Sequence, residues 1–310
     1  KALLLPVQKF STMKKIFLAI AVSMAMVACG QQDKEQGEKT EQRVVIPPGM
    51  PTPPVKAPID EPKRPSNQER DPNTPVLRIE EGKPLDLSQL LGGQRKSFGE
   101  QVAEMIDSIQ LMAKQGDADY QYLLGGCYDQ GWGVDIDYAK AMEWYKKAAD
   151  QEQKASYNAI GNLYRTGQGV KQDQTEAFKW FEKGAKVKDT QAMLHLGNCY
   201  YFGMGTQKNL PEAIQWWSEA AKLGNPYALA QMGDCYFYGI GVDKDLSKAV
   251  KNLEQAAERN IAGAQYRLGI LYYAGQGVKK DLAYSELLMK KARDGGMKEA
   301  QDFLDKQFKK

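Results

Sequence analysis

The chain has 310 residues, a formal net charge of +3, 26% charged residues and 42% hydrophobic residues. That near-balance provides no clustered basic face of the kind nucleic-acid binding needs, so no nucleic-acid partner is expected. A single histidine excludes a zinc site of the H-E-x-x-H type, and neither a metal nor another cofactor is expected.

The chain opens on Lys1, and residues 1–12 are an uncertain leader. Met13-Lys14-Lys15 form a basic start, followed by a mostly apolar run of 13 residues, 16–28. That length suits the apolar region of a signal peptide and falls short of the ~20 residues a spanning helix needs. The run closes on Met26-Val27-Ala28-Cys29-Gly30, which resembles a bacterial lipobox. The resemblance implies cleavage before Cys29 and lipidation of that residue, with Gly30 favouring the outer membrane. The expected localisation is therefore the bacterial envelope, as an outer-membrane lipoprotein facing the periplasm, held to the membrane by its N-terminal lipid. An ordinary signal peptide with an unrelated cysteine is the alternative.

Residues 29–96 are expected to be a disordered tether. Eleven of the fourteen prolines lie between 47 and 84, with no apolar periodicity among them. Such a stretch buries too little surface to offset its ordering entropy, and proline stiffens it toward polyproline II. It serves either as a spacer or as a ligand for a partner that binds polyproline.

From residue 97 the chain becomes helical. Met105, Ile109, Met112 and Ala113 stand 36 residues before Ala141, Tyr145, Ala148 and Ala149, so 97–117 forms a lone helical cap. Five repeats follow without insertion or deletion: 118–153, 154–189, 190–225, 226–261 and 262–297. Each carries a loop, Gly131-Trp132-Gly133-Val134 in the first and Gly275-Gln276-Gly277-Val278 in the last. Apolar and small residues recur at i, i+3, i+4 and i+7 on both sides of the loop, so one repeat is helix A, loop, helix B. The first loop glycine suits a left-handed helix end. Asp137, Asp173, Asn209, Asp245 and Asp281 suit the start of helix B. Glycine inside each helix A (Gly125, Gly161, Gly197, Gly233, Gly269) costs about 1 kcal/mol against alanine, so a helix is expected to cross closely there. Helix B carries Trp144-Tyr145, Trp180-Phe181 and Trp216-Trp217, then Asn252-Leu253 and Leu288-Met289, which predicts thinner packing in the last two repeats. A second cap, 298–310, places Phe303 and Leu304 inward.

These loops, glycines and aromatic pairs resemble the Sel1-like repeat family, related to tetratricopeptide repeats. The resemblance implies an all-α, right-handed α-solenoid and a role in protein–protein interaction. In tetratricopeptide relatives helix A lines the concave face and its outward residues hold peptides. Carried onto this chain, that places Asn162, Asn198 and Asp234 in one column, Arg165, Tyr201, Phe237 and Tyr273 in the next, and Phe202 and Tyr238 beside it. Asparagine can pair with a peptide backbone, and Tyr and Phe supply contact area at little entropic cost.

Catalytic patterns are missing. His195 shares its repeat position with Leu123, Ala159, Gln231 and Arg267, and is expected on the surface. The only S-x-x-K, Ser11-Thr12-Met13-Lys14, straddles the presumed start, which opposes the β-lactamase-like activity attributed to some Sel1 relatives. Cys127, Cys199 and Cys235 share one position with Leu163 and Leu271, and three free, buried thiols are expected. The expected function is thus a non-catalytic, monomeric scaffold that binds a protein or peptide segment. A cell-wall enzyme and a surface-exposed host-protein-binding factor are the alternatives.

Overall fold

A computed structural model of the chain describes residues 102, 103 and 105–308. The leader, the apolar run with Cys29, the proline-rich stretch and residues 97–101 lie outside the described residues. Twelve α-helices and no strand occur among the described residues. They are α1 (Ile106–Lys114), α2 (Ala118–Gln130), α3 (Tyr138–Ala149), α4 (Lys154–Thr166), α5 (Gln174–Lys186), α6 (Thr190–Phe202), α7 (Leu210–Lys222), α8 (Pro226–Tyr238), α9 (Leu246–Ala257), α10 (Ala262–Ala274), α11 (Leu282–Asp294) and α12 (Lys298–Gln307). Even-numbered helices from α2 to α10 are the A helices, and α3 to α11 are their B partners.

The same local chemistry builds each repeat. Helix A ends on its loop glycine in the left-handed conformation, with φ of 73° at Gly131 and 75° at Gly203. The cap amide returns to the carbonyl four residues back, as Gly203 does to Cys199 at 2.8 Å. Helix B starts on the expected side-chain cap, and the Asn209 amide oxygen accepts from Glu212 N–H at 3.3 Å. The loop closes because the amide of this cap residue donates to the helix-A tyrosine carbonyl: Asn209 to Tyr200 at 2.8 Å, Asp245 to Tyr236 at 3.0 Å. The tyrosine that precedes every loop therefore marks where the loop is tied down.

The helix-A glycines are seats for helix B of the same repeat. A Cβ at Gly161 would lie 2.5 Å from the Phe181 ring, and one at Gly197 would lie 2.5 Å from the Trp217 indole. Tyr145, Leu253 and Met289 occupy the same seat over Gly125, Gly233 and Gly269. The second member of each helix-B pair thus packs within its repeat, rather than in the groove between repeats. Leu253 and Met289 are both fully buried, so the expected thinning in repeats four and five does not occur at this position; smaller side chains close over the same glycine.

Stacking uses the second loop glycine. At Gly205, φ is +69° and an added Cβ would collide with the Gln174 carbonyl at the start of the preceding helix B. Gly133, in the first repeat, meets Ala103 of the N-terminal cap instead. Helix α1 begins at Ile106 because Met105 leaves the helical region, with φ −110° and ψ 5°. The expected continuous helix is therefore broken there, although Ile109 and Ala113 are buried as expected and Met105 and Met112 pack partly buried beside them. At the other end, Leu304 of α12 is buried and Phe303 packs half-buried against the end of the array.

Polar groups between repeats are matched to particular carbonyls. Gln121, Tyr157 and Gln265 share one repeat position. Each donates to the carbonyl eight residues earlier, at the end of the preceding helix, at 3.2, 3.1 and 3.2 Å. Asn225, almost wholly buried, caps α8 through Ala228 N–H and donates to the Thr190 carbonyl at 3.1 Å, tying repeat four to repeat three. Buried polar groups satisfied in this way fix the register of stacking.

The concave face as candidate protein-binding surface

Curvature follows from which helices meet. Successive A helices touch at two junctions, α4 with α6 and α8 with α10, and no successive B helices approach as closely. The A helices form the inner layer, and all the positions singled out above lie on A helices.

The structure divides those positions into two kinds. The first kind is held by the scaffold. Asn162 is buried and accepts from the Arg165 guanidinium Nε at 3.1 Å. The Asn198 oxygen accepts from the Trp217 indole N–H at 3.1 Å. Asp234 pairs with the Arg267 Nε across the junction of repeats four and five. Arg267 also donates to the Tyr238 hydroxyl at 3.0 Å and lies 5.4 Å from that ring's centre. Burial raises the Asp234 carboxyl from the ordinary 3.8 to about 6, against the opposing pull of Arg267. Tyr273 lies under the C-terminal cap: its hydroxyl donates to Gln307 at 2.6 Å, and Phe303 packs edge-on at 5.2 Å.

The second kind is open. Phe202 is 41% exposed and Tyr238 is 37% exposed. Each is braced edge-to-face by its neighbour, Phe202 by Tyr201 at 4.9 Å and Tyr238 by Phe237 at 4.6 Å. Tyr201 in turn rests on Trp217 at 5.3 Å. The result is two rigid aromatic pairs, one per repeat, at equivalent positions. Rigid aromatic side chains bury large areas with little entropy lost, which is what recognition hot spots need.

Sequence reasoning missed two groups. Arg267 occupies a column treated as free, yet that column faces the preceding A helix. The signal was present: Asp234 is the one charge in its column, and the only cation in the facing column is Arg267. His195 is not on the surface. It is half-buried, stacks on Phe181 at 4.9 Å, and burial first and Arg165 second lower its pKa to about 3. A histidine held neutral against an aromatic ring fills space. Cys127, Cys199 and Cys235 are free and buried, and burial pushes each thiol up to about 12. Thiols held protonated in this way are poor nucleophiles. Among the described residues there is no group of His, Cys, Asp and Glu that could hold a metal, and no helix is long and apolar enough to cross a membrane.

Stacked two-helix units with an inner layer of A helices define an α-solenoid repeat protein. The Sel1 repeat profile matches residues 118–152, 154–189, 190–225, 226–261 and 262–297, and the chain belongs to the Sel1 repeat family. Its first unit is thus matched one residue shorter than the period implies. The chain is similar to a Sel1 repeat protein of Oxalobacter formigenes, with 32% identity over 68% of this chain and 90% of that one, at a TM-score of 0.61. It is also similar to c5321, a protective antigen present in uropathogenic Escherichia coli strains that displays an SLR fold. That match has 28% identity and a TM-score of 0.58, and covers 73% of this chain and 53% of c5321, so this chain aligns with about half of that protein. No curated protein matches this chain. Sel1 repeats generally mediate protein–protein interaction.

Proposed function

We propose that this protein is a non-catalytic scaffold that docks a protein or peptide segment on its concave face, through the aromatic pairs of repeats three and four. The observation that carries this reading is the pairing of exposure with rigidity: Phe202 and Tyr238 reach solvent while Tyr201 and Phe237 hold them in place. Asn162, Arg165, Asn198 and Asp234 shape the floor around them. The reading places the array in the bacterial envelope, on a proline-rich tether that follows a lipidated Cys29. The cell-wall enzyme alternative finds no support at this face, where the histidine is stacked and neutral and the nearest thiols are buried.

The docking reading is tested with Phe202→Ala and Tyr238→Ala, chosen because both side chains are solvent-facing and their loss leaves the Trp217 seat intact. Hot-spot aromatics contribute about 2 kcal/mol or more each. Capture of the native partner from membranes should weaken by ~30-fold per substitution, with helical circular dichroism unchanged. Undiminished capture would place the site elsewhere.

A further inference from the structure

Buried charge is treated differently in the first and fourth repeats. Among the described residues, three buried side-chain oxygens accept no hydrogen bond: Oδ1 of Asp129, Asn158 and Asp234. All three belong to A helices, and two belong to carboxyls. Asp234 Oδ1 faces the Arg267 Nε, so the chain supplies its counter-charge. Asp129 is 7% exposed, and its Oδ2 accepts from the Tyr145 hydroxyl at 3.3 Å. The groups that favour its ionised form, Gln130 and Tyr145, are both uncharged. Arg165, the cation at the equivalent position of the next A helix, is turned to Asn162. Burial raises the Asp129 carboxyl to about 6, which still leaves it mostly ionised at pH 7.

The repeat register places a counter-charge. Arg267 reaches two groups on the preceding A helix, the Asp234 carboxyl and the Tyr238 hydroxyl. Their equivalents on α2 are Gly126 and Gln130. Asp129 stands in the same turn, three residues after the first and next to the second, within reach of a side chain placed as Arg267 is. The residue equivalent to Arg267 is Ala159, and in repeat three it is His195, which stacks on Phe181. Ala159 packs, partly buried, against the cluster that holds Tyr122 and Tyr145. It brings a methyl group where later repeats bring an imidazole or a guanidinium, and Gly126 brings no side chain at all.

We propose that Asp129 is an ionic anchor for the docked segment, taking a lysine of that segment over Ala159 and Gly126. The inference rests on the docking reading and adds the partner's chemistry: a basic residue beside the stretch that meets the aromatic pairs of repeats three and four. Lysine suits the site better than arginine. Tyr145 already holds one carboxylate oxygen, so the fork of a guanidinium meets only half of its usual acceptor. An ammonium is a compact point charge on a slender apolar stem, and one oxygen suffices for it. A buried carboxylate oxygen left unpaired costs the free chain stability, and a bound ammonium removes that cost. The charge is thus worth more to the complex than to the fold.

The test pans a random-sequence peptide library, displayed on phage, over the full chain. Peptides enriched by the wild-type chain should share a lysine at one fixed position. Replacing that lysine with norleucine should weaken binding by ~10-fold or more, the worth of a hydrogen bond to a charged group. The same replacement should have almost no effect on binding to Asp129→Asn, as a double-mutant cycle requires of a direct pair. Ala159→Arg, which installs the chain's own cation at the Arg267 position, should abolish the lysine selection and keep the peptides' dependence on Phe202 and Tyr238. Circular dichroism checks that each variant is folded. Enriched peptides with no fixed lysine, with arginine in its place, or with a lysine that Asp129→Asn selects equally would overturn the inference. If those peptides still lose binding on Phe202→Ala and Tyr238→Ala, the docking reading stands without the anchor. No enrichment, or enrichment indifferent to those two aromatics, removes both.

Discussion

Gly161→Ala should destabilise the protein by about 2 kcal/mol, although alanine is the better helix former by about 1 kcal/mol. The sign follows from the seat. The new Cβ would lie 2.5 Å from the Phe181 ring. Phe181 is fully buried and also stacks with His195 at 4.9 Å, so the ring has little room to withdraw. Overpacking a core in this way costs about 1–3 kcal/mol beyond the propensity gained. A second substitution, Phe181→Leu, should recover part of the loss in the Gly161→Ala background, because repeat four already closes over Gly233 with Leu253. Urea unfolding followed by circular dichroism measures all three variants. A gain of about 1 kcal/mol for Gly161→Ala, the value of helix propensity alone, would mean that the two helices do not touch there.

The second large effect is on the pH dependence of stability. Asp129 is buried on α2 and accepts from the Tyr145 hydroxyl at 3.3 Å. Burial raises its carboxyl from 3.8 to about 6, outweighing the lowering by the Gln130 and Tyr145 hydrogen bonds. Asp189 and Asp234 are also raised to about 6, burial again being the first cause. A carboxyl with a raised folded-state pKa binds a proton more readily folded than unfolded. Its stabilising protonation is complete below about 4 and is lost as pH rises through about 6. His195, whose folded pKa is lowered to about 3, opposes this as pH falls below its ordinary 6.5. Three raised carboxyls outweigh one imidazole, so stability should still rise on acidification from pH 7 to pH 5, by less than the carboxyls alone would give. Asp137 and Asp245, exposed caps whose pKa values are lowered, act in the other direction only below the ordinary carboxylate range. Asp129→Asn keeps an acceptor for Tyr145 and removes the buried charge. It should stabilise by about 1–3 kcal/mol at pH 7 and flatten the slope between pH 5 and pH 7. Thermal melts across that range check both. A wild-type curve that falls steadily below pH 7 would contradict the burial of these carboxyls.

Much of the fold was legible because it repeats. One copy of a loop glycine or a capping Asp is weak evidence, but five at a fixed spacing name the helix ends, and the chain obeys them at Gly131, Gly167, Gly203, Gly239 and Gly275. The seat at the helix-A glycine was anticipated as a close crossing; which helix crosses was not, because period alone does not say whether Trp217 leans into its own repeat or the next. The break at Met105 was also unreadable, since Met105 matches Ala141 in pattern and departs only in backbone angle. The candidate site was half legible. Phe202 and Tyr238 are open as their position implied, whereas Tyr273 is covered by α12 and Asp234 is paired with Arg267. Those outcomes depend on what the neighbouring repeat presents, which a single-repeat pattern does not encode. His195 was misplaced for the same reason: Phe181 of the preceding helix B covers it, which its repeat position alone does not show.

Photo-cross-linking from intact membranes puts the question of the working face most directly. One probe replaces Tyr238, an exposed residue at the end of helix α8 in the inner layer, and a second replaces Lys179, an exposed residue of helix α5 on the outer layer. Tyr238→benzoylphenylalanine should capture a defined segment of another protein, while Lys179→benzoylphenylalanine captures none. Capture from position 179 alone, or equally from both positions, would contradict a binding face on the inner layer of the array.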